Sequence, residues 1–381
     1  QVGSITRVLD AQMAADLDPA PAYNGPLPFY VYDGETRDIT DCSDMEERLV
    51  PPLPYATPNL ATWVARIPSH YLTPTKLTKY TGGTSVAIKQ FHSILVAATE
   101  AQGSGRAVGF LSKEDLRTHS ARAPLYLSVM PVVTASHPGD LLLLQHTSRE
   151  VHAFEMTAQA LAFCFEVPAM DPLRNGLRSV REAEAKAMLG NGVNGMDAER
   201  HLRFVLAQIG WSPGQPLTAA GFCDGAGTLA SALLRIVGSG LHIRFGSDIA
   251  TSCGTAFLAS FGHITDRFFP TSHEERDVDA MIGLGEVGLL YAGYPCTPVT
   301  KAQRTPTTDI VRWDGIDKLV NLIWHSMRYA QETRPKGVFM ETSGYLMETL
   351  DMRCVFLRID CCLQLRLPGY KWSYAHTNSM D

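Results

Sequence analysis

The chain has 381 residues, a formal net charge of -6 and a hydrophobic fraction of 45%. At roughly 150 residues per domain this length predicts two to three domains, which excludes a peptide or a single small module. Charged residues make up 19% of the chain, as in folded globular proteins and not in disordered ones. The mildly acidic balance gives no overall attraction to nucleic acid or anionic membranes, although a local basic site stays open.

The cysteines and the uncharged stretches exclude further classes of protein. The eight cysteines include no Cys-x-x-Cys pair, so the sequence predicts no disulfide scaffold and no metal site, and it favours a reducing, intracellular compartment. The first residues show no basic-then-apolar leader, so we expect no targeting peptide. The longest uncharged stretch, 204–223, has Pro and Gly at its centre and therefore predicts no membrane span.

The N-terminal half falls into two predicted regions. Residues 1–58 are rich in Pro and Asp and predict a loosely structured arm around a short strand at 29–32. Residues 59–212 predict an α+β region of unassigned role, with helix-like spacing over 150–165 and a helix over 198–209 that Asp197 can cap. The Pro- and Gly-containing segment at 210–215 marks the boundary to the rest of the chain.

Residues 213–381 alternate short apolar runs with helical stretches. Strands are predicted at 217–223, 241–247, 287–292 and 337–340, and helices at 228–237 and 316–332. This alternation is typical of an α/β, doubly wound parallel sheet with helices on both faces. Ligands of such sheets bind at the carboxyl ends of the strands, so the residues that follow each strand are the candidate site.

Two glycine-rich segments are candidates for a nucleotide-binding loop. Residues 283–288 match the letters G-x-G-x-x-G, but a proline follows within two helical turns, so a simple turn before a strand is favoured. The segment 222–229 (FCDGAGTL) ends a strand and opens a helix, where glycines permit close backbone approach to a ligand. Asp248 ends the next strand, and its carboxylate can accept hydrogen bonds from both hydroxyls of a ribose.

Two further strand ends carry reactive side chains. Cys296 lies in a loop that Pro295 and Pro298 stiffen, and a thiol held at this edge is placed as a nucleophile would be. Glu341 ends the strand at 337–340 and would point into the same crevice, so we expect the two groups to converge beside Gly225. A half-buried structural thiol and a solvated glutamate are the alternative interpretations.

In this order, the glycine loop, Asp248, Asp277-Val278, the Pro-Cys loop and Glu341 resemble the motifs of the cytosine carbon-5 DNA methyltransferase family, over about residues 217–381. The resemblance implies a Rossmann-like domain that binds S-adenosyl-L-methionine. It implies cofactor-binding roles for Cys223, Gly225, Ala226, Gly227, Asp248, Ile249, Asp277 and Val278, and catalytic roles for Cys296, Glu341 and Pro295.

The chain departs from the family pattern in three places. Asp224 and Ala226 are unusual in the first motif, and Thr342-Ser343 replace the usual Asn-Val after the glutamate. Residues 369–381 resemble the stretch that leads into the family's Gln-x-Arg-x-Arg motif. We therefore expect a catalytic domain truncated before that motif and before the target-recognition region.

The resemblance implies an enzyme that methylates DNA through a covalent adduct between Cys296 and carbon 6 of cytosine, with Glu341 holding the ring. The target base would leave its stack. Lys301 and Arg304 follow the nucleophile loop and are either phosphate contacts or two solvated loop charges. A nuclear location follows if the source is eukaryotic. The alternatives are a tRNA cytosine-5 methyltransferase and an inactive binding or regulatory protein that keeps the cofactor fold.

Overall fold

The computed structural model describes residues 2–9, 64, 67–80, 85–102, 107–113, 116, 125, 141–147, 150–272, 275, 277–295, 313–343, 356, 359–360 and 363–377. The chain forms two compact units. One contains Gln1–Pro54 and Gly195–Ser379, and we call it the seven-stranded unit; the other, Tyr55–Asn194, is the four-stranded unit. The division falls before residue 195, whereas the sequence pattern predicts a boundary at 210–215.

Eleven strands lie in the described residues. They are β1 (Val2–Leu9), β2 (Leu72–Thr75), β3 (Ala107–Ser112), β4 (Leu141–Thr147), β5 (Glu150–Met156), β6 (Leu217–Phe222), β7 (Leu241–Ser247), β8 (Thr265–Phe269), β9 (Leu289–Gly293), β10 (Gly337–Ser343) and β11 (Tyr370–Thr377).

Residues 363–366 are helical, and the described residues give the bounds of nine further α-helices. They are α1 (Ser85–Gln102), α2 (Ala158–Cys164), α3 (Leu173–Arg178), α4 (Glu182–Gly190), α5 (Gly195–Gln208), α6 (Thr228–Val237), α7 (Thr251–Phe261), α8 (Val278–Ile282) and α9 (Trp313–Thr333). None of these helices combines the length and the apolar character that crossing a bilayer requires.

The larger sheet has the order β11-β1-β10-β9-β6-β7-β8. The five strands from β10 to β8 are parallel, and helices connect them, so the unit has the predicted α/β, doubly wound, Rossmann-like architecture. The strand order reverses between β6 and β9. Ligands of open α/β sheets bind at such a switch point, outside the carboxyl ends of the strands.

Both faces of the central strands are buried, as a parallel sheet between helices requires. On one face, alternate residues of β6, β9 and β10 pack with Leu319, Ile323, Trp324 and Met327 of α9. On the other face, Ala219, Leu289 and Tyr291 are each 0% exposed. Successive residues of these strands point to opposite faces, and both faces are buried. The strands therefore appear in the sequence as continuous apolar runs.

Strand β1 lies inside the sheet, antiparallel to both β10 and β11. The pairing with β10 continues from Gly337 to Ser343, so that strand runs three residues past the end that its apolar pattern predicts. The loosely structured arm predicted for residues 1–58 thus contains a strand at its start, while its predicted strand at 29–32 lies outside the described residues.

The four-stranded unit has an antiparallel sheet with the order β2-β5-β4-β3. Phe91 and Leu95 of α1 pack on it, with Leu142 and Leu144 of β4. In the same unit, Arg174 is 1% exposed, and its guanidinium donates to the carbonyl oxygens of Gln159, Val167 and Pro168 at 2.8, 2.5 and 2.7 Å. Burial lowers the Arg174 pKa to about 10, and these carbonyls satisfy its donors.

Two local predictions in this part of the chain were wrong. Residues 150–156 form β5 rather than a helix, because their backbone pairs with both β2 and β4, and only 158–164 are helical. Asp197 does not cap a helix that starts after it, since α5 begins at Gly195; its carboxylate instead accepts from Arg200 at 2.9 Å.

Candidate active site

The glycine-rich loop between β6 and α6 has an unusual backbone. Cys223, Gly225 and Gly227 have φ angles of 54°, 54° and 95°, in the left-handed region. A left-handed cysteine costs roughly 1–2 kcal/mol, and such strain is concentrated at functional sites. The loop therefore holds a conformation that only its tertiary contacts maintain, at the switch point of the sheet.

Backbone hydrogen bonds of the loop are satisfied within the protein. The Asp224 N–H donates to the Ser247 carbonyl oxygen at 3.0 Å, and the Gly227 N–H donates to the Asp224 carbonyl oxygen at 2.8 Å. The Gly225 N–H donates to a carboxylate oxygen of Asp248 at 3.0 Å. The N–H groups of these three residues are thus used within the protein and do not face a ligand as free donors.

Asp248 lies directly after β7 and beside this loop. Its second carboxylate oxygen accepts from the Ala250 N–H at 2.9 Å, so both oxygens are oriented by backbone donors. A carboxylate has about four acceptor sites, which leaves capacity for two hydroxyl donors. The next side chain, Ile249, is 71% exposed.

Gly293, the last residue of β9, lies between the glycine loop and Glu341. A methyl group on its Cα would lie 3.6 Å from the Cys223 carbonyl oxygen and 3.8 Å from a Glu341 carboxylate oxygen. Glu341 is also the register partner of Gly293, and the Tyr294 N–H donates to its carbonyl oxygen at 2.9 Å. The structure therefore brings Glu341 and the glycine loop to the same edge of the sheet.

The Glu341 carboxyl group is 8% exposed. Burial raises its pKa from 4.5 to about 8, because desolvation penalises the charged form. At neutral pH this group is therefore mostly protonated. A neutral carboxyl group both donates and accepts one hydrogen bond, which suits a ligand edge that offers an adjacent acceptor and donor.

The remaining predicted site residues fall in three places. Ala226 is a buried residue of the glycine loop itself, and Asp277 precedes α8, where its carboxylate accepts from the Ala280 N–H at 2.9 Å. Val278 packs against the same apolar cluster as Cys223. Pro295 is exposed, and the described residues of this segment end there, so Cys296 and its convergence with Glu341 lie outside them. Lys301 and Arg304 also lie outside the described residues.

The competing glycine segment is a turn. Gly283 and Gly285 follow α8, and β9 begins at Leu289, so a strand and not a helix comes next. Among the described residues, no group of three or more His, Cys, Asp or Glu side chains could hold a metal ion.

Sequence reasoning missed three residues that shape the site: Gly293, Ser247 and Tyr291. Glycines inside strands, such as Gly221 and Gly246, were the available signal, because they mark close approach of other groups.

No known family model matches the sequence, and no curated protein matches it. Among solved structures, the chain is similar to a proposed RNA methyltransferase from Pyrococcus horikoshii, with 15% identity, a TM-score of 0.21, and coverage of 34% of this chain and 53% of that one. The chain thus spans about half the length of that protein.

Two further solved structures are methyltransferases. The arsenic(III) S-adenosylmethionine methyltransferase of Chlamydomonas reinhardtii has 14% identity and a TM-score of 0.20, covering 36% of this chain and 44% of that one. A SAM-dependent O-methyltransferase of Thermotoga maritima has 12% identity and a TM-score of 0.23, covering 60% and 77%. With scores this low, the fold assignment rests on the sheet order of this chain and not on these likenesses.

Proposed function

We propose that this chain is an S-adenosyl-L-methionine-dependent methyltransferase that acts on carbon 5 of cytosine in DNA. The observation that carries the proposal is the meeting of the glycine loop, Gly293 and the buried Glu341 carboxyl group at the switch point of the sheet. The motif order seen in the sequence supports the choice of cytosine as the target.

The chemistry of the loop favours a nucleoside cofactor without phosphates. Three loop N–H groups are used internally, and the Asp248 carboxylate lies 3.0 Å from the Gly225 nitrogen, where a pyrophosphate would be repelled. S-adenosylmethionine carries a ribose, an adenine ring and positively charged sulfonium and ammonium groups. Asp248 suits the ribose hydroxyls, Ile249 the adenine face, and open space at Gly225 a closely approaching ligand.

Cys296 and Glu341 have different roles in the proposed reaction. When bound, the cofactor supplies the methyl group. The Cys296 thiolate attacks carbon 6 of the ring, which makes carbon 5 nucleophilic. After carbon 5 is methylated, its proton passes to solvent as the thiolate is eliminated from carbon 6, which restores the ring and frees the cysteine. The Glu341 carboxyl group, protonated at neutral pH, donates to the ring nitrogen and accepts from the exocyclic amine. Its buried position orients the ring without competition from water.

Covalent trapping tests the substrate. The protein is incubated with S-adenosylmethionine and DNA that contains 5-fluorocytosine, whose fluorine blocks the elimination step. We expect an adduct that Cys296→Ser abolishes. An adduct formed with fluorocytosine-containing tRNA but not with DNA would transfer the assignment to tRNA methylation, and the absence of both would leave a cofactor-fold protein without this catalysis.

Calorimetric titration with S-adenosylmethionine tests the cofactor separately. Asp248→Asn should weaken binding by about tenfold or more, because charged hydrogen bonds to hydroxyls contribute roughly 1.5–3 kcal/mol. Asp266→Asn is the matched control, since Asp266 lies near the amino end of β8 and pairs with His242 and Arg244. Equal affinities of the wild type and Asp248→Asn would contradict the assigned role.

A further inference from the structure

One phenylalanine ring lies between the two segments that carry the candidate cofactor groups. Phe257 belongs to α7 and is 0% exposed. A Cβ atom on Gly227, in the glycine loop, would lie 3.0 Å from the Phe257 Cδ2 atom, and one on Gly246, in β7, would lie 2.9 Å from its Cε1 and Cζ atoms. Because Cδ2 and Cε1 are at opposite edges of the ring, the ring packs against the loop with one edge and against the strand with the other.

Both contacts depend on the absence of a side chain. A side chain at Gly227 or Gly246 would displace the ring, since Cβ atoms do not approach other heavy atoms this closely. A second ring supports the loop from the same side: a Cβ atom on Gly227 would lie 2.5 Å from Phe261, which is also 0% exposed. The centroids of the Phe257 and Phe261 rings are 5.2 Å apart at an interplanar angle of 58°, a favourable arrangement for two aromatic rings. The glycine loop therefore packs on a pair of buried rings.

The contact of Phe257 with β7 also fixes the turn that carries Asp248. Only residues 248–250 connect the end of β7 to the start of α7, the helix that contains Phe257. Within this turn, the Asp248 carboxylate accepts from the Ala250 N–H at 2.9 Å, and it reaches the glycine loop through the Gly225 N–H at 3.0 Å. Protein interiors are densely packed, so the width of the ring determines how far the turn lies from the loop.

We propose that Phe257 is a positioning residue for the cofactor, because its ring sets the distance between the glycine loop and the Asp248 carboxylate. This inference deepens the proposed function and rests on it for the identity of the ligand. Phe257 itself touches no ligand, since its side chain is fully buried. A smaller side chain at this position lets the loop and the Asp248 turn move independently, and a bound nucleoside then no longer meets both in the required geometry.

Hydrogen–deuterium exchange of the ligand-free protein tests the positioning without the cofactor. Phe257→Leu keeps an apolar side chain but lacks the ring atoms that reach both glycines. Amides of residues 225, 227 and 250 should exchange at least about threefold faster than in the wild type, relative to the amides of β10, which report on the unit as a whole. Unchanged exchange, or equal acceleration in β10, would overturn the inference. Phe257→Met, which preserves more of the buried volume, gives the same comparison if the leucine variant does not fold.

Phe268→Leu is the matched control, and calorimetric titration with S-adenosylmethionine is the second readout. The Phe268 ring packs on Phe257 with centroids 5.2 Å apart, but the glycine it approaches is Gly254 of α7 and not one in the loop. The affinity should fall about tenfold in Phe257→Leu and stay within about twofold of the wild type in Phe268→Leu. Equal losses in the two variants would overturn the inference. A wild type that binds no S-adenosylmethionine would refute the proposed cofactor, while the exchange data would still decide the positioning role.

A double-mutant cycle distinguishes positioning from a general loss of packing. In an Asp248→Asn background the carboxylate that Phe257 positions is already absent, so Phe257→Leu should weaken binding there by less than about threefold. In an Asp266→Asn background, whose acid lies away from the loop, the loss of about tenfold should remain. Equal effects of Phe257→Leu in the two backgrounds would show that the ring does not act through Asp248 and would also overturn the inference.

Discussion

Replacing Glu341 by glutamine should change the pH dependence of stability. The pKa of this buried carboxyl group is raised by desolvation from 4.5 to about 8. Between these values the folded state binds a proton that the unfolded state releases, so the free energy of unfolding falls as pH rises. The loss of unfolding free energy caused by Glu341 is absent below about pH 4.5 and complete above about pH 8. Glutamine, which does not titrate, removes it.

The magnitude follows from the shift. Each pKa unit corresponds to about 1.4 kcal/mol, so the ionisation penalty is roughly 1 kcal/mol at pH 5.5, roughly 3 kcal/mol at pH 7 and roughly 4–5 kcal/mol at pH 8.5. Relative to Glu341→Gln, the wild type should therefore lose about 3 kcal/mol of stability between pH 5.5 and 8.5. Other titrating groups cancel in this comparison, because both proteins contain them.

Urea unfolding at the three pH values measures the difference. Tryptophan fluorescence follows the seven-stranded unit, since every tryptophan except Trp63 belongs to it. Glu332→Gln, at an exposed position on α9, is the control and should differ from the wild type by the same amount at all three values. A constant difference for Glu341→Gln as well would refute the reasoning, because it would mean that Glu341 ionises as easily when folded as when unfolded.

Two pairs of substitutions test the packing inside each unit separately. Gly227→Ala should destabilise the seven-stranded unit by about 2–4 kcal/mol in urea unfolding, because φ is +95° and the added methyl group would lie 2.5 Å from the Phe261 ring. Gly214→Ala, with φ +88° and open space, should cost only about 1–2 kcal/mol, and an equal loss in both would assign the effect to backbone strain alone. Arg174→Met should cost about 3–5 kcal/mol and speed amide exchange in α2 and α3, because three buried carbonyl groups lose their donor. Arg178→Met, at an exposed position, should cost under about 1 kcal/mol, and similar losses at the two arginines would contradict this account.

The local sequence pattern was sufficient for the central part of the sheet. Helix Thr228–Val237 and strand Leu241–Ser247 occur at the bounds that the apolar pattern predicts, and the order of strands and helices correctly indicates a doubly wound sheet. Asp248 meets the glycine loop because both follow strands whose carboxyl ends share one edge, while its role toward a ribose stays a prediction. The catalytic roles of Glu341 and Cys296 remain predictions.

Other features depended on contacts between residues far apart in sequence. Strand Val2–Leu9 forms because β10 and β11, more than 300 residues later, offer unpaired backbone groups on either side of it. Residues 150–156 extend, despite helical spacing, because two neighbouring strands pair with them. The absence of a side chain at Gly221 is explained only by the tertiary structure, in which Tyr291 lies opposite this residue. A side-chain period specifies which face of an element is buried, but pairing partners and buried polar contacts are decided by which elements meet, and only the tertiary structure determines that.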